Sequence, residues 1–128
     1  MNDIHFKSER QNWKTPRAFY QALDSEFHFD YDPCPPNPVF DGLSTEWGMV
    51  NFVNPPYNEC SEWCRKSYEE SLLGKVVVML IPSRTDTRYW HDYVMKAKEI
   101  RFIKGRLHFD DHKNAAPFPS CLVVFNGC

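Results

Sequence analysis

The chain has 128 residues, 42% hydrophobic and 25% charged, which fits one compact domain spanning 1–128 and excludes a disordered polymer. A formal net charge of −2 excludes a protein that holds duplex nucleic acid through overall basicity, so any such contact must come from a local patch. The five cysteines are odd in number, the first residues lack the apolar core of a signal peptide, and no run approaches the ~18 apolar residues that span a bilayer. The expectation is a cytoplasmic protein with reduced thiols and no membrane partner.

In chain order, "WKTPRAFYQALDSEF" predicts a helix with Thr15 as N-cap and Pro16 in the first helical position, where a missing amide hydrogen costs nothing. Phe19, Ala22, Leu23 and Phe27 share one face of it. "HFDYD" (28–32) predicts a short strand that stops at the proline-rich "DPCPPN" (32–37), and 39–49 reads as loop with at most one turn of helix. "VNFV" (50–53) is a second strand, followed at once by "NPPY" (54–57). "SEWCRKSYEESLL" predicts an amphipathic helix capped at Ser61 and ended near Gly74. Cys60 and Cys64 could be half a zinc site, but no second pair stands at suitable spacing, and one helical turn explains the gap equally well. None of the five histidines has a metal-like partner, so no metal is expected.

"KVVVMLIPS" is the signature of a strand buried on both faces. "TRYWHDYVMKA" predicts a helix capped at Thr85 or Asp86. "IRFIKGRLHF" predicts a strand, a turn at Gly105 and a further extended piece, and "CLVVFN" a final buried strand. Strands alternating with helices predict an α/β fold: an abbreviated Rossmann-like, mostly parallel sheet with helices on its faces.

In an open α/β sheet, ligands gather beyond the carboxyl ends of the strands. "DPCPPN", "NPPY" and "PSRTD" (82–86) all fall at such ends, which points to one site. The NPPY turn reads either as a surface corner stiffened by proline or as a device. In the second reading the Asn54 side-chain carbonyl and the Pro55 backbone carbonyl converge on an amino group, and Tyr57 offers a ring face to a planar substrate. An exocyclic amine of a base is a poor nucleophile because its lone pair is delocalised. Acceptors on both amine protons draw the nitrogen toward tetrahedral geometry and offset the positive charge that grows during attack.

NPPY is the catalytic motif of amino-methyltransferases, and the chain resembles the phage-type DNA N-6-adenine methyltransferase family. The resemblance runs through "WKTPRAFYQAL", "FDYDPCPPN", "EWGMVNFVNPPY", "WCRKS", "VVVMLIPSRTDTRYWHDYV", "IRFIKGRLHF" and "PFPSCLVVF". It implies methyl transfer from S-adenosylmethionine to the N6 amine of adenine in DNA, with Asn54, Pro55, Pro56 and Tyr57 as the catalytic turn. It also implies cofactor contacts from Asp32, Pro33 and Cys34, with Asp32 accepting from the methionine ammonium, and from Thr15 and Pro16 near the methionine carboxylate. Loop capping by Asp32 and helix capping by Thr15 and Pro16 are the plain alternatives. Arg84 and Arg88 are candidates for phosphate contacts, set against a helix cap or surface ion pair at Asp86. Lys104 and Arg106 form a basic cluster that borders a cleft or a solvated turn.

The chain departs from the superfamily in placing prolines where a Gly-rich cofactor loop is common. An abbreviated adenosine pocket follows, with Asp41, Glu46 or Trp47 as candidates. Adenine would leave the base stack to reach the turn. Without a separate target-recognition domain, sequence preference is expected to be relaxed, or to come from loops or a homodimer partner. The rival readings are a non-catalytic DNA- or protein-binding module that keeps the fold, and adenine in RNA as substrate.

Overall fold

A computed structural model describes residues 13–36, 38–110 and 113–127; Asn37 of the proline-rich loop lies outside them. Strands β1 (Val50–Val53), β2 (Val76–Pro82), β3 (Glu99–Phe102) and β4 (Ser120–Asn126) form one sheet in the order β1-β2-β4-β3. β1 and β2 are parallel, with Val50 opposite Val76. β4 runs antiparallel to both neighbours, pairing Val77 with Phe125 and Ile100 with Val123.

The sheet is therefore mixed, which corrects the expectation of a mostly parallel one. The physical reason is the connection that follows β3. Parallel neighbours need a crossover of a dozen or more residues, usually a helix, whereas the described residues between β3 and β4 form turns and irregular chain. The last strand thus returns alongside its predecessor. "HFDYD" contributes a single parallel bridge, Tyr31 to Asn51, rather than a full strand. Asp30 N–H donates to Val50 O at 2.9 Å and Phe52 N–H to Tyr31 O at 3.1 Å before the prolines end the pairing.

Helices α1 (Arg17–Phe27), α2 (Cys60–Ser71) and α3 (Arg88–Asp92) cover the two faces. On one face Val53, Val77, Met79, Ile81, Cys121 and Val123 pack with Trp63 and Cys64 of α2 and Trp90 of α3. On the other, Phe52, Val78, Leu80 and Leu122 pack with Leu23 of α1 and with Phe109 and Phe118 of the loop before β4. Alternation along β2 splits its apolar side chains between the two layers, as a strand buried on both faces requires.

The helix starts differ from the sequence rules. Pro16, not Thr15, stands at the N-cap of α1, and the orphan Arg17 N–H donates to Asp110 Oδ2 at 3.1 Å. A short 3₁₀ turn (Tyr57–Glu59) precedes α2, so Glu59 rather than Ser61 is its N-cap. The chain leaves α2 through Gly74, whose φ of 90° favours glycine. Thr87, not Thr85 or Asp86, caps α3 by accepting from Trp90 N–H at 3.4 Å. Cys60 and Cys64 sit one turn apart on α2, buried, and their thiols hydrogen-bond each other. Among the described residues no group of three or more His, Cys, Asp or Glu could hold a metal, and no helix is long and apolar enough to cross a membrane.

Candidate active site at the carboxyl ends of the strands

β1 and β2 end side by side, and they deliver "NPPY" and "PSRTD" to the same edge of the molecule. β3 points the same way, because it and β2 are both antiparallel to β4. Pro55 and Pro56 are buried while Asn54 and Tyr57 are half-buried, so the turn is packed into the fold with its two polar side chains at the boundary.

Every polar atom of the Asn54 side chain has a partner. Its Nδ2 donates to Trp13 O and to Thr15 Oγ1, the latter at 2.9 Å, and its Oδ1 accepts from the Tyr57 hydroxyl at 3.1 Å. The Tyr57 hydroxyl also lies 3.5 Å from Leu80 O. Burial pushes the Tyr57 phenol well above its ordinary range, which keeps it a donor. The Tyr57 ring lies 13° from parallel with Trp13, at 6.5 Å between centroids, and meets Phe118 edge-on at 5.4 Å. Trp13 in turn stands against Phe109 and Phe118, at 5.4 and 5.1 Å.

Beside this turn opens a cleft of about 480 Å³ lined by Lys14, Thr15, Arg17, Tyr20, Asp32, Pro36, Phe52 and Asp110. Thr15 belongs to both places: it lines the cleft and its hydroxyl holds Asn54. The Asp32 carboxylate accepts from Cys34 N–H at 2.9 Å, an Asx-type turn that shapes the proline-rich loop. Burial nevertheless pushes the Asp32 carboxyl up to about 6, with the Cys34 N–H opposing only in part. Asp32 is thus both a loop former and a carboxylate short of a positive partner. Pro33 is buried, and its carbonyl is crossed closely by Gly42, where an added Cβ would lie 1.8 Å away.

Of the expected residues, Thr15 and Asp32 line the cleft, and Asn54 reaches its wall through the hydrogen bond to Thr15; Pro16, Pro33, Cys34, Pro55, Pro56 and Tyr57 are not among the lining residues. Arg84, Arg88, Lys104 and Arg106 are exposed at the same end of the sheet but do not line the cleft. Of the candidates for an adenosine pocket, Trp47 is in the core with its indole N–H donating to Gly42 O at 2.8 Å. Asp41 accepts from Leu43 N–H and the Ser44 hydroxyl within its own turn, and Glu46 is exposed. Sequence reasoning missed Lys14, Arg17, Tyr20, Phe52 and Asp110 as cleft walls, and Trp13 as the ring beside Tyr57. The adjacency of Trp13 and Lys14 to Thr15 was the available signal; nothing local marks Asp110.

Fold and site together define an α/β protein with a cleft near the carboxyl ends of its parallel strands, one wall residue of which, Thr15, hydrogen-bonds an Asn-Pro-Pro-Tyr turn. Residues 4–121 match the DNA N-6-adenine-methyltransferase (Dam) family, and the chain belongs to that family. It is similar to a DNA N-6-adenine-methyltransferase of Haemophilus phage HP1, with 29% identity over 139 residues covering 93% of this chain and 80% of the relative. No solved structure matches the chain significantly.

Proposed function

We propose that this protein transfers a methyl group from S-adenosylmethionine to the N6 amine of adenine in DNA, and that it acts in a bacterial cytoplasm during a phage or prophage life cycle. The observation that carries the reading is the placement of Asn54, on an NPPY turn, directly against a residue of a cleft that holds a half-buried carboxylate. Membership of the family supports the substrate and the reaction.

The cleft fits the cofactor chemically. Asp32 is half-buried, and desolvation dominates its ionisation, so an incoming ammonium would relieve the cost of its charge. Lys14 and Arg17, which also line the cleft, suit a carboxylate, and Tyr20 and Phe52 supply apolar surface. Thr15 and Pro16 form the backbone beside them, and Pro33 and Cys34 keep Asp32 in place. When bound, S-adenosylmethionine supplies an electrophilic methyl on a sulfonium, which needs no metal and no strong base.

The chain's own residues hold the amine. Asn54 Oδ1 and the Pro55 carbonyl accept its two hydrogens and sharpen its lone pair. The Tyr57 ring stacks on the base, a contact worth ~1–3 kcal/mol. With S-adenosylmethionine bound there, the amine nitrogen would take its methyl with the thioether sulfur leaving, and the spare amine proton would pass to water. Alignment in near-attack geometry supplies several kcal/mol, on the order of 7–11. Arg84, Arg88, Lys104 and Arg106 contact phosphates around the extruded base.

Incubation with tritiated S-adenosylmethionine and unmethylated DNA, followed by nucleoside analysis, tests this. Label in N6-methyladenine is expected. Label that enters RNA alone moves the substrate, and no label together with no calorimetric heat from the cofactor leaves a non-catalytic module.

A further inference from the structure

Asn54 presents a problem that any catalytic asparagine shares. Its amide is nearly symmetric in shape, and a half-turn about the last side-chain bond exchanges Oδ1 with Nδ2. With Oδ1 toward a substrate amine the contact is acceptor to donor. With Nδ2 there, two NH₂ groups face each other and the amine is repelled.

The structure resolves this through the segment before α1. A backbone carbonyl can only accept, so the Asn54 atom that faces Trp13 O must be the nitrogen. Thr15 Oγ1 takes another Nδ2 contact at 2.9 Å, leaving the nitrogen held from two directions. Oδ1 then points the other way, toward the Tyr57 hydroxyl. Both carbonyl and hydroxyl belong to a segment that is itself anchored. The Trp13 ring packs on Tyr57, Phe109 and Phe118, Lys14 O accepts from Asp110 N–H at 3.1 Å, and Arg17 N–H donates back to Asp110 Oδ2.

We propose that Thr15 is a positioning residue whose hydroxyl, together with the Trp13 carbonyl, locks the Asn54 amide with Oδ1 toward the substrate amine. This rests on the adenine-methyltransferase reading above and gives Thr15 a role distinct from that of a cofactor wall or a helix cap. Thr15 acts through Asn54 and touches neither reacting atom.

The test uses the full chain, S-adenosylmethionine and unmethylated DNA. Thr15→Val keeps the shape and removes the oxygen, so kcat is expected to fall on the order of 10- to 100-fold. The cofactor Kd, read by calorimetry, should change far less than kcat, since Thr15→Val keeps the backbone and shape of this cleft residue and removes only the oxygen that holds Asn54. Thr15→Ser restores the oxygen and should recover most of the lost turnover. In ¹⁵N spectra, the Asn54 side-chain amide protons (assigned by their loss in Asn54→Ala) should exchange with solvent faster in Thr15→Val than in wild type.

Unchanged kcat in Thr15→Val overturns the proposal, as does Thr15→Ser being as poor as Thr15→Val. A weakened cofactor Kd at unchanged kcat also overturns it, and returns Thr15 to the cofactor wall. Failure of the underlying reading looks different: wild type then methylates no adenine in DNA, while wild-type activity with an indifferent Thr15→Val removes the clamp alone.

Discussion

The Tyr57 hydroxyl donates to Oδ1 of Asn54 at 3.1 Å, so the two polar side chains of the NPPY turn are joined to each other. An incoming amine must share or replace that donor, and Leu80 O, 3.5 Å from the same hydroxyl, is there to receive it. Tyr57→Phe removes the hydroxyl and keeps the ring against the contacting pair Trp13 and Phe118. Turnover should fall by only a few-fold, about what one neutral hydrogen bond of ~1 kcal/mol provides. Tyr57→Ala also deletes the stacking face and should weaken both DNA binding and kcat much further. Measured kcat and DNA Kd for the two variants decide it; equal losses contradict a stacking role.

Asp32 makes the protein sensitive to pH in a defined direction. Its carboxyl is raised to about 6 by burial, above the ~3.9 of an unfolded chain, so the folded state binds the proton more tightly. Its contribution to stability is therefore greatest below about pH 4 and is lost as pH rises through about 6. Urea unfolding without cofactor should show Asp32→Asn gaining on wild type between pH 4 and 7. Cofactor affinity should run the other way, rising about tenfold per pH unit below 6 and levelling above it, because an ammonium partner needs the ionised carboxylate. A flat binding profile contradicts the pairing.

Asp110 supplies the acceptor that α1 lacks in its own sequence. Asp110→Ala should cost about 1 kcal/mol of stability, as loss of an N-terminal cap does, and Asp110→Asn much less. The urea midpoint of each variant reads this, and an unchanged midpoint in Asp110→Ala contradicts it.

That cap shows where the sequence was readable and where it was not. The apolar runs of β2 and β4 announce buried strands, because an uninterrupted Val/Leu/Ile run bounded by polar residues has few other uses. The direction of β4 was not legible, since such a run reads the same either way and its pairing depends on the connection before it. For α1, the local Thr-Pro pattern favours a Thr15 cap. The fold instead spends the Thr15 hydroxyl on Asn54, 39 residues away, and brings the cap from Asp110, 93 residues from Arg17. Proline and aspartate bound many strands, so the NPPY turn and Asp32 stand out in the sequence only by falling at the carboxyl ends of strands, where an α/β sheet gathers its ligands. The cleft walls contributed by Lys14, Arg17, Tyr20 and Phe52 look like ordinary helix and strand residues until the chain is folded.

Gly42 tests how firmly the proline-rich loop is held. A Cβ there would meet Pro33 O at 1.8 Å and the Trp63 ring at 2.7 Å, and backbone and a buried ring cannot both yield cheaply. Gly42→Ala should lower stability by roughly 1–3 kcal/mol, as overpacking does, and weaken cofactor binding by displacing Asp32. Thermal unfolding and calorimetry on the same sample check both; wild-type values in each contradict the close packing.

The most direct test of the central claim is single-turnover methylation of unmethylated DNA by Asn54→Ala beside wild type, with cofactor Kd and circular dichroism measured on both. The account predicts a variant that folds and binds S-adenosylmethionine like wild type yet loses nearly all transfer to the adenine amine. Transfer at the wild-type rate would contradict it and leave the Asn-Pro-Pro-Tyr turn as a corner of the fold.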